Sequence, residues 1–176
     1  MTEAFIGLGS NLGDGCAILL AAWQAIGAMA GIEPVELSSP YRTAPEGFSS
    51  ANWFTNAVGR LQTTLSCRDL LAVLLRTETA MGRVRKKKGT APTDRVVDLD
   101  LLYYDNLVLG EPELIVPHPD IRERLFVLVP LAELAADRVH PLSGLTTGQM
   151  LDDLLARRMR GAAEAAVQKL SWQDRG

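Results

Sequence analysis

Residues 96–104 read Val-Val-Asp-Leu-Asp-Leu-Leu-Tyr-Tyr and form the clearest strand pattern in this chain of 176 residues. Apart from Asp98 and Asp100, the stretch is apolar or aromatic, and such residues favour strands. Because side chains alternate along a strand, the two aspartates share one face. The opposite face, which we expect to lie in the core, consists of Val97, Leu99 and Leu101.

The segments that precede residues 96–104 give the order of a known α+β motif. Hydrophobic periodicity predicts strands at 3–9, 35–41 and 53–63, and helices at 13–30 and 66–82. The resulting order of strand, helix, strand, strand, helix, strand is that of the ferredoxin-like split βαβ motif. We therefore predict an antiparallel sheet with both helices on one face, and we expect the other face to be free to carry a site.

The rest of the chain gives weaker patterns. Asp105-Asn106 predicts a turn into a hairpin strand at 107–109, and additional C-terminal helices are predicted at 130–136 and 147–157. Residues 158–176 are rich in alanine and charge, so we expect a loosely held helix or a frayed tail. No repeat or linker divides the sequence, which predicts a single domain over residues 1–176.

Composition excludes several classes of protein. The net charge of −3, from 18 Lys+Arg and 21 Asp+Glu, argues against a dedicated nucleic-acid binder. The two cysteines and two histidines lack metal-ligand spacing, which excludes zinc fingers and disulfide scaffolds. No window has the roughly 18 apolar residues that a membrane span needs. We therefore expect a cytoplasmic protein.

The two aspartates predict a metal site. Two carboxylates one pleat apart repel each other, so in an apolar strand they need a cation or a shared proton. Oxygen ligands suit Mg²⁺, and the pair could hold two Mg²⁺ ions around a phosphate chain. The alternative is a solvated strand face on which the aspartates pair with nearby arginines.

The segment before this strand is strongly basic. Arg83, Arg85 and Arg95 lead into the aspartates, and guanidinium groups grip phosphate oxygens through two hydrogen bonds. They predict a polyphosphate clamp. Lys86, Lys87 and Lys88 fit a solvated loop better, and the whole segment, which holds Gly89 and Pro92, is not expected to form regular structure.

Two other features keep alternatives open. Residues 7–13 read Gly-Leu-Gly-Ser-Asn-Leu-Gly, but Leu12 stands where a dinucleotide motif needs its third glycine. We therefore favour a glycine-rich turn near a helix cap. His118 lies between two prolines, and it suits either a phosphate contact or a structural role.

Taken together, the motifs of this sequence resemble those of the 6-hydroxymethyl-7,8-dihydropterin pyrophosphokinase family of folate biosynthesis. The resemblance extends from Phe5 to about Leu155 and rests on the order and spacing of several motifs. They are Gly-Ser-Asn-Leu-Gly at 9–13, Ser-Pro-Tyr-Arg-Thr at 39–43, Asn-Ala-Val at 56–58, Gly-Arg-Val-Arg at 82–85 after Glu78, Arg-Val-Val-Asp-Leu-Asp-Leu-Leu at 95–102, and Val-Pro-His-Pro at 116–119 with Arg124 and Phe126.

The resemblance implies an activity and a set of site residues. The family transfers the pyrophosphoryl group of ATP to the hydroxymethyl group of the pterin and releases AMP. ATP would be the co-substrate, and Asp98 and Asp100 would hold two Mg²⁺ ions. The catalytic residues implied are Arg83, Arg95, Asp98 and Asp100; the ATP-binding residues are Arg83, Arg85, Arg95, Leu101, His118 and Arg124; the pterin-binding residues are Thr43, Ala44, Glu46, Phe54, Asn56 and Phe126. The partners implied are small molecules, with no nucleic acid or membrane, and we expect a monomer.

This chain departs from the family pattern in the segment before the aspartates. Thr90 stands where an aromatic residue is usual, and Thr93-Asp94 are two extra residues. Leu75 stands where the family has a glutamine. By resemblance residues 83–95 should close over bound ligands, and we expect deletion of Thr93 and Asp94 to be tolerated.

Two alternative functions remain open at this point. A ferredoxin-like fold with a basic loop also suits an RNA-binding module, although no strand carries the aromatic pattern of such modules. A nucleotide-binding dehydrogenase is a third reading, against which Leu12 argues.

Overall fold

The computed structural model describes residues 1–45, 50–83, 93–160 and 167–173. Its strands are β1 (Thr2–Ser10), β2 (Ile32–Leu37), β3 (Tyr41–Thr43), β4 (Phe54–Thr63), β5 (Asp98–Tyr104), β6 (Leu109–Glu111), β7 (Leu114–Val116) and β8 (Val167–Lys169). Its helices are α1 (Gly15–Gly27), α2 (Cys67–Ala80), α3 (Leu125–Ala135) and α4 (Thr147–Arg160), with a 3₁₀ turn at Ile121–Glu123.

The main sheet is antiparallel throughout and has the order β5-β1-β4-β3-β8. Strand β2 also pairs with β4. Strands β2 and β3 lie on the same side of β4, one after the other along its length. This arrangement of β1, α1, β2, β4, α2 and β5 confirms the predicted ferredoxin-like α+β fold. The central strand β1 is buried on both faces, because Ala4, Ile6 and Leu8 pack on one side and Phe5 packs on the other.

Local signals in the sequence set the helix boundaries. Asp14 caps α1 by accepting a hydrogen bond from the Ala17 amide at 3.0 Å, and Ser66 caps α2 by accepting one from the Asp69 amide. Gly13 and Gly82, next to these helices, have φ angles of +75° and +91°, which favour glycine. Of the glycine-rich stretch 7–13, Gly7 to Ser10 belong to β1, so the predicted turn is limited to the residues between Ser10 and the Asp14 cap.

The first core lies between the sheet and the helices α1 and α2. Leu19 and Ile26 of α1 and Leu70 and Leu74 of α2 are fully buried there. The predicted apolar face also lies in this core, with Leu99 and Leu101 on β5 and Val97 immediately before it. Asp98 and Asp100 consequently point to the opposite face of the sheet.

The opposite face is not free, contrary to the expectation from the sequence. Helices α3 and α4 pack on it and form a second core with Phe5, Val58, Leu102 and Tyr103. The register of β1 and β5 shifts beside Phe5, so that Leu102 and Tyr103 both turn into this second core. The helices cover the Tyr103 end of β5, whereas the aspartates stand at its other end.

The hairpin predicted after Asp105 is wrong. Residues from Leu109 pair instead with the strand that ends at Val116, and the two strands form a separate small sheet, β6-β7. The predicted strand at 35–41 is divided between β2 and β3. The helix predicted from Pro130 begins five residues earlier, at Leu125, and takes in the proline.

Residues 167–173 differ from the loose helix or frayed tail expected for the C-terminal segment. Strand β8 extends the main sheet by pairing with β3, and Lys169 lies opposite Tyr41. The Trp172 indole then donates a hydrogen bond to the Ser38 carbonyl at 3.1 Å. Such pairing cannot be read from a short polar stretch, because the partner strand lies more than 120 residues away in sequence.

In the four described ranges, no helix combines the length and the apolar character that crossing a membrane would require.

Candidate active site

The carboxylates of Asp98 and Asp100 project from the start of β5 onto the face that α3 and α4 leave open. Their cross-strand partners on β1 are Gly9 and Gly7, respectively. Because glycine has no side chain, β1 leaves the aspartates uncovered, even though the side chain of Asp98 is only 20% exposed. The sequence prediction that the two acids share one face is confirmed.

Two arginines hold the Asp98 carboxylate. Arg83 donates a hydrogen bond to Oδ1 and Arg95 donates one to Oδ2. Burial would raise the pKa of Asp98, but the two guanidinium groups outweigh this effect and lower it. Asp98 is therefore anionic at neutral pH, and in this structure it makes the arginine pairing that the sequence allowed as an alternative to metal binding.

Asp100 lies in a different electrostatic environment. Burial and the neighbouring charge of Asp98 raise its pKa to about 6, although Arg124, Arg83 and Arg95 act in the opposite direction. Within the described residues, no hydrogen bond or ion pair reaches its carboxylate directly. Arginine side chains thus neutralise the negative charge of Asp98 by direct contact, whereas the carboxylate of Asp100 has no such direct partner.

This donor set fits Mg²⁺. The described ranges contain no group of three or more His, Cys, Asp or Glu side chains that could enclose a metal. Mg²⁺ commonly binds through one or two carboxylates and completes its shell with waters and substrate phosphates. Two carboxylates beside the guanidinium groups of Arg83 and Arg95 are therefore a suitable set.

Glu78 also belongs to the site, although its spacing on α2 matches that of the apolar residues that fill the core. It lies on the apolar face of α2 and is fully buried. Its Oε1 accepts a hydrogen bond from the Leu99 amide at 2.8 Å and another from Arg83. A carboxylate on an apolar helical stripe is the signal that reveals it, since such a group needs a buried donor. Glu78 holds both β5 and the arginine that contacts Asp98.

A cavity of about 290 Å³, which Asp100 lines, lies at the edge of β5 that faces away from β1. Leu101 and His118 line it, as do Leu71 and Leu75 of α2. Leu99 donates its amide away from β1, to Glu78, so the next outward-facing backbone groups of β5 are those of Leu101. The cavity thus combines apolar walls with a strand edge that can form hydrogen bonds.

His118 and Arg124 stand beside this cavity. The Nδ1 atom of His118 accepts a hydrogen bond from the Asp120 amide at 3.2 Å, so in the neutral ring Nε2 carries the proton. Burial, and then the charge of Arg124, lower the pKa of His118, which keeps the ring neutral. Arg124 pairs with Asp120 at 2.5 Å, and its guanidinium lies 5.5 Å from the centre of the Phe126 ring.

A buried polar pair lies on the other side of the aspartates. Asn56 on β4 donates a hydrogen bond through Nδ2 to the Thr43 hydroxyl at 2.9 Å, and both residues are 5% exposed. Gly9 separates Asn56 from Asp98 in one cross-strand row. A Cβ on Gly9 would lie 3.0 Å from the Asn56 Oδ1 atom, so glycine keeps this part of the row open.

The remaining predicted residues have varied positions. Phe54 precedes Asn56 by two residues, and Arg95 lies 5.6 Å from the centre of its ring. Phe126 packs against the second core, and Ala44 is exposed just beyond β3. Arg85 and Glu46 lie outside the described residues, as does most of the basic segment.

The site has the features of enzymes that transfer phosphorus-containing groups, in which positioning and charge neutralisation do most of the work. A carboxylate pair stands among arginines, with an apolar cavity on one side and a buried polar pair on the other.

Comparison with known proteins identifies the family. The model of the 7,8-dihydro-6-hydroxymethylpterin-pyrophosphokinase family matches residues 5–136. A 2-amino-4-hydroxy-6-hydroxymethyldihydropteridine pyrophosphokinase of Methylorubrum extorquens is 43% identical over 88% of this chain and 94% of its own. The enzyme of the same name from Haemophilus influenzae is 40% identical over 84% of this chain and 90% of its own. This chain belongs to the 7,8-dihydro-6-hydroxymethylpterin-pyrophosphokinase family and is an enzyme of that class.

Solved structures agree on the fold. A crystal structure of HPPK-DHPS in complex with substrates superposes with a TM-score of 0.74 at 11% identity, over 92% of this chain and 44% of that one. Wild-type HPPK-DHPS of Plasmodium falciparum with pteroate gives a TM-score of 0.74 over 46% of its length. This chain therefore spans less than half of either. The alternative prediction of an RNA-binding module finds no support in these matches.

Proposed function

We propose that Asp98 and Asp100 form the centre at which this pyrophosphokinase transfers the pyrophosphoryl group of ATP to the hydroxymethyl group of 6-hydroxymethyl-7,8-dihydropterin. The observation that carries the proposal is the position of the aspartates in the sheet. They stand between the cavity beside Leu101 and the buried pair of Asn56 and Thr43. A group transferred between two substrates must lie between their binding sites.

The aspartates are proposed to hold Mg²⁺, with two ions as the expected number. Bound Mg²⁺ neutralises phosphate charge and favours nucleophilic attack at phosphorus. Asp98 already carries its negative charge, and Asp100 gains a partner for its own. Since Arg83 and Arg95 occupy the oxygens of Asp98 in this structure, we expect their guanidinium groups to turn to phosphate oxygens when the nucleotide binds.

ATP is proposed to bind on the β6-β7 side of β5. Its base would enter the apolar cavity and meet the backbone of Leu101. Its phosphates would extend over the aspartates, within reach of Arg83 and Arg95 and of His118 and Arg124. A neutral His118 that donates through Nε2 suits a phosphate oxygen. Arg85, outside the described residues, is proposed as a further phosphate ligand.

The pterin is proposed to bind at the row that contains Asn56. The Nδ2 atom of Asn56 is engaged by Thr43, which fixes the amide and leaves its Oδ1 facing the open space beside Gly9. An oxygen held in this way can accept hydrogen bonds from the amino edge of a pterin. The rings of Phe54 and Phe126 are proposed to contact the pterin plane, with Ala44 and Glu46 at the rim.

In the proposed reaction the hydroxymethyl oxygen bonds to the β-phosphorus of ATP. The bond from that phosphorus to the α–β bridging oxygen breaks, AMP leaves with this oxygen, and the hydroxyl proton is released. The residues of this chain position both substrates and neutralise charge, which supplies most of the rate in such transfers. The monomeric state, the single domain and the cytoplasmic location expected from the sequence stay predictions.

The test is product analysis with purified protein, Mg²⁺, ATP and the hydroxymethyl dihydropterin. We expect AMP and the pterin diphosphate in equal amounts, with no AMP when the pterin is omitted. Formation of ADP would instead indicate transfer of a single phosphoryl group. Absence of any pterin-dependent product from folded protein would contradict the proposal.

A further inference from the structure

Asp94 occupies an unexpected position beside the active site. By the resemblance described above it is expected to be one of two extra residues, and nothing in the sequence pattern distinguishes it from the exposed Thr93 before it. In the structure its carboxylate accepts three side-chain hydrogen bonds. The donors are Asn11 Nδ2 at 2.7 Å, Ser50 Oγ at 2.7 Å and Asn52 Nδ2 at 2.8 Å.

These donors come from two separate parts of the fold. Asn11 follows the last residue of β1, whereas Ser50 and Asn52 belong to the turn that leads into β4. Asp94 itself lies four residues before β5. One carboxylate thus joins the approaches to three adjacent strands at the end of the sheet where Asp98 stands. The hydrogen bonds also lower the pKa of Asp94, so it is anionic at neutral pH.

Asn11 transmits the position of Asp94 to Arg95. Because its Nδ2 donates to Asp94, its Oδ1 faces the other way and accepts the Arg95 amide at 2.8 Å. The Asn11 amide in turn donates to the Arg95 carbonyl at 3.2 Å. Both backbone groups of Arg95 are therefore held by one residue, whose side-chain orientation Asp94 determines.

Arg95 is the residue through which this arrangement reaches the chemistry. Its guanidinium donates to Asp98 Oδ2 and lies against the Phe54 ring. It therefore touches both the proposed metal site and the proposed pterin site. A small shift of its backbone would displace the guanidinium from both.

We propose that Asp94 is a positioning residue for the transfer reaction, which acts through Asn11 to fix Arg95 between Asp98 and Phe54. Asp94 contacts neither substrate in this assignment. The assignment rests on the proposed role of Arg95, and it reverses the expectation that Thr93 and Asp94 can be deleted. The assignment also suggests a role for Thr93-Asp94, since these residues place a carboxylate beside the three strand ends.

The test is a double-mutant cycle between Asp94 and Arg95 with steady-state kinetics. For Asp94→Ala we expect kcat to fall roughly 10- to 100-fold, because small misplacement of a catalytic group costs this much. The KM values for both substrates should change little. Asp94→Asn keeps one acceptor oxygen and should restore part of the loss. Thr93→Ala, at an exposed neighbour with no hydrogen bond in the described part of the chain, is the matched control and should resemble wild type.

The cycle separates positioning from a general structural role. If Asp94 acts through Arg95, then Asp94→Ala should cause no further loss of kcat in an Arg95→Ala background. The proposal would be overturned if the kcat losses of the two single variants multiplied in the double variant. It would also be overturned if Asp94→Ala had the same kcat as Thr93→Ala. If Asp94→Ala does not fold, the same cycle run with Asp94→Asn decides the question. Full activity of Arg95→Ala alone would instead refute the proposed role of Arg95.

Discussion

Asp98 and Asn56 point to the same face of the sheet and are separated by a single strand, in which Gly9 stands between them. Neighbouring strands lie about 4.8 Å apart, so this places the acidic and amide side chains roughly 10 Å from each other. That span suits a substrate whose reacting hydroxymethyl group reaches the carboxylates while its ring edge meets the amide. Five predictions follow from this geometry and the charges around it.

Replacing either aspartate by asparagine should nearly abolish turnover. Loss of one carboxylate ligand should reduce kcat on the order of 100-fold or more, because the phosphate charge is then poorly neutralised. Rates of AMP formation at saturating Mg²⁺ give the measurement for Asp98→Asn and Asp100→Asn. Asp105→Asn is the matched control, since it lies at the far end of β5 and asparagine tolerates its positive φ of 47°. Near wild-type rates in both folded site variants would exclude the proposed metal role.

The apoprotein should become more stable when Asp100 is replaced. The pKa of Asp100 is raised in the folded protein from 3.8 to about 6, so its ionised form costs stability. This cost is absent below about pH 4 and complete above about pH 6. With metal removed by chelation, we therefore expect Asp100→Asn to increase the free energy of unfolding by about 1–3 kcal/mol at pH 8 and to change it little near pH 4.

Asp98 should show the opposite sign in the same experiment. Its pKa is lowered in the folded protein, so its contribution to stability is present above about pH 4 and disappears as the pH falls through the folded pKa. Urea unfolding of Asp98→Asn at pH 8 should consequently give a lower free energy of unfolding than wild type. Equal effects of the two substitutions at pH 8 would contradict the charge distribution described for the site.

Asn56→Ala should weaken pterin binding more than Mg-ATP binding. Removing the amide leaves a polar ligand edge without its partner, which costs about 1–3 kcal/mol. Titration calorimetry with each ligand alone measures the difference. Gln62→Ala, on the same strand but at its far end, controls for general effects on β4. An equal loss for both ligands would assign Asn56 to folding instead of to recognition.

Gly9→Ala should also act selectively on the pterin. The added methyl group would lie 3.0 Å from the Asn56 Oδ1 atom, so the amide must shift and part of the open space is filled. We expect the affinity for the pterin to drop roughly tenfold, with a smaller change for Mg-ATP. Gly110→Ala is the control, because a Cβ there meets no atom within 4 Å. Unchanged pterin affinity in Gly9→Ala would place the pterin elsewhere.

Local patterns in the sequence determined much of this protein. The alternation in residues 96–104 was sufficient to place Asp98 and Asp100 on one face, because the period of a strand leaves no other arrangement. The order of periodic segments likewise predicted the ferredoxin-like sheet. These features depend on residues close together in the chain, so the sequence alone reveals them.

The tertiary structure determined the features that depend on residues far apart in the chain. The shift in register beside Phe5 turned two consecutive residues of β5 into the second core, and α3 and α4 covered a face that had been expected to be open. Strand β8 paired with β3 across more than 120 residues of sequence. Asp94 gained its three donors only because the ends of β1, β4 and β5 lie side by side at one end of the sheet. A hydrogen bond depends on the positions of two groups in space, whereas a sequence pattern records only their neighbours along the chain.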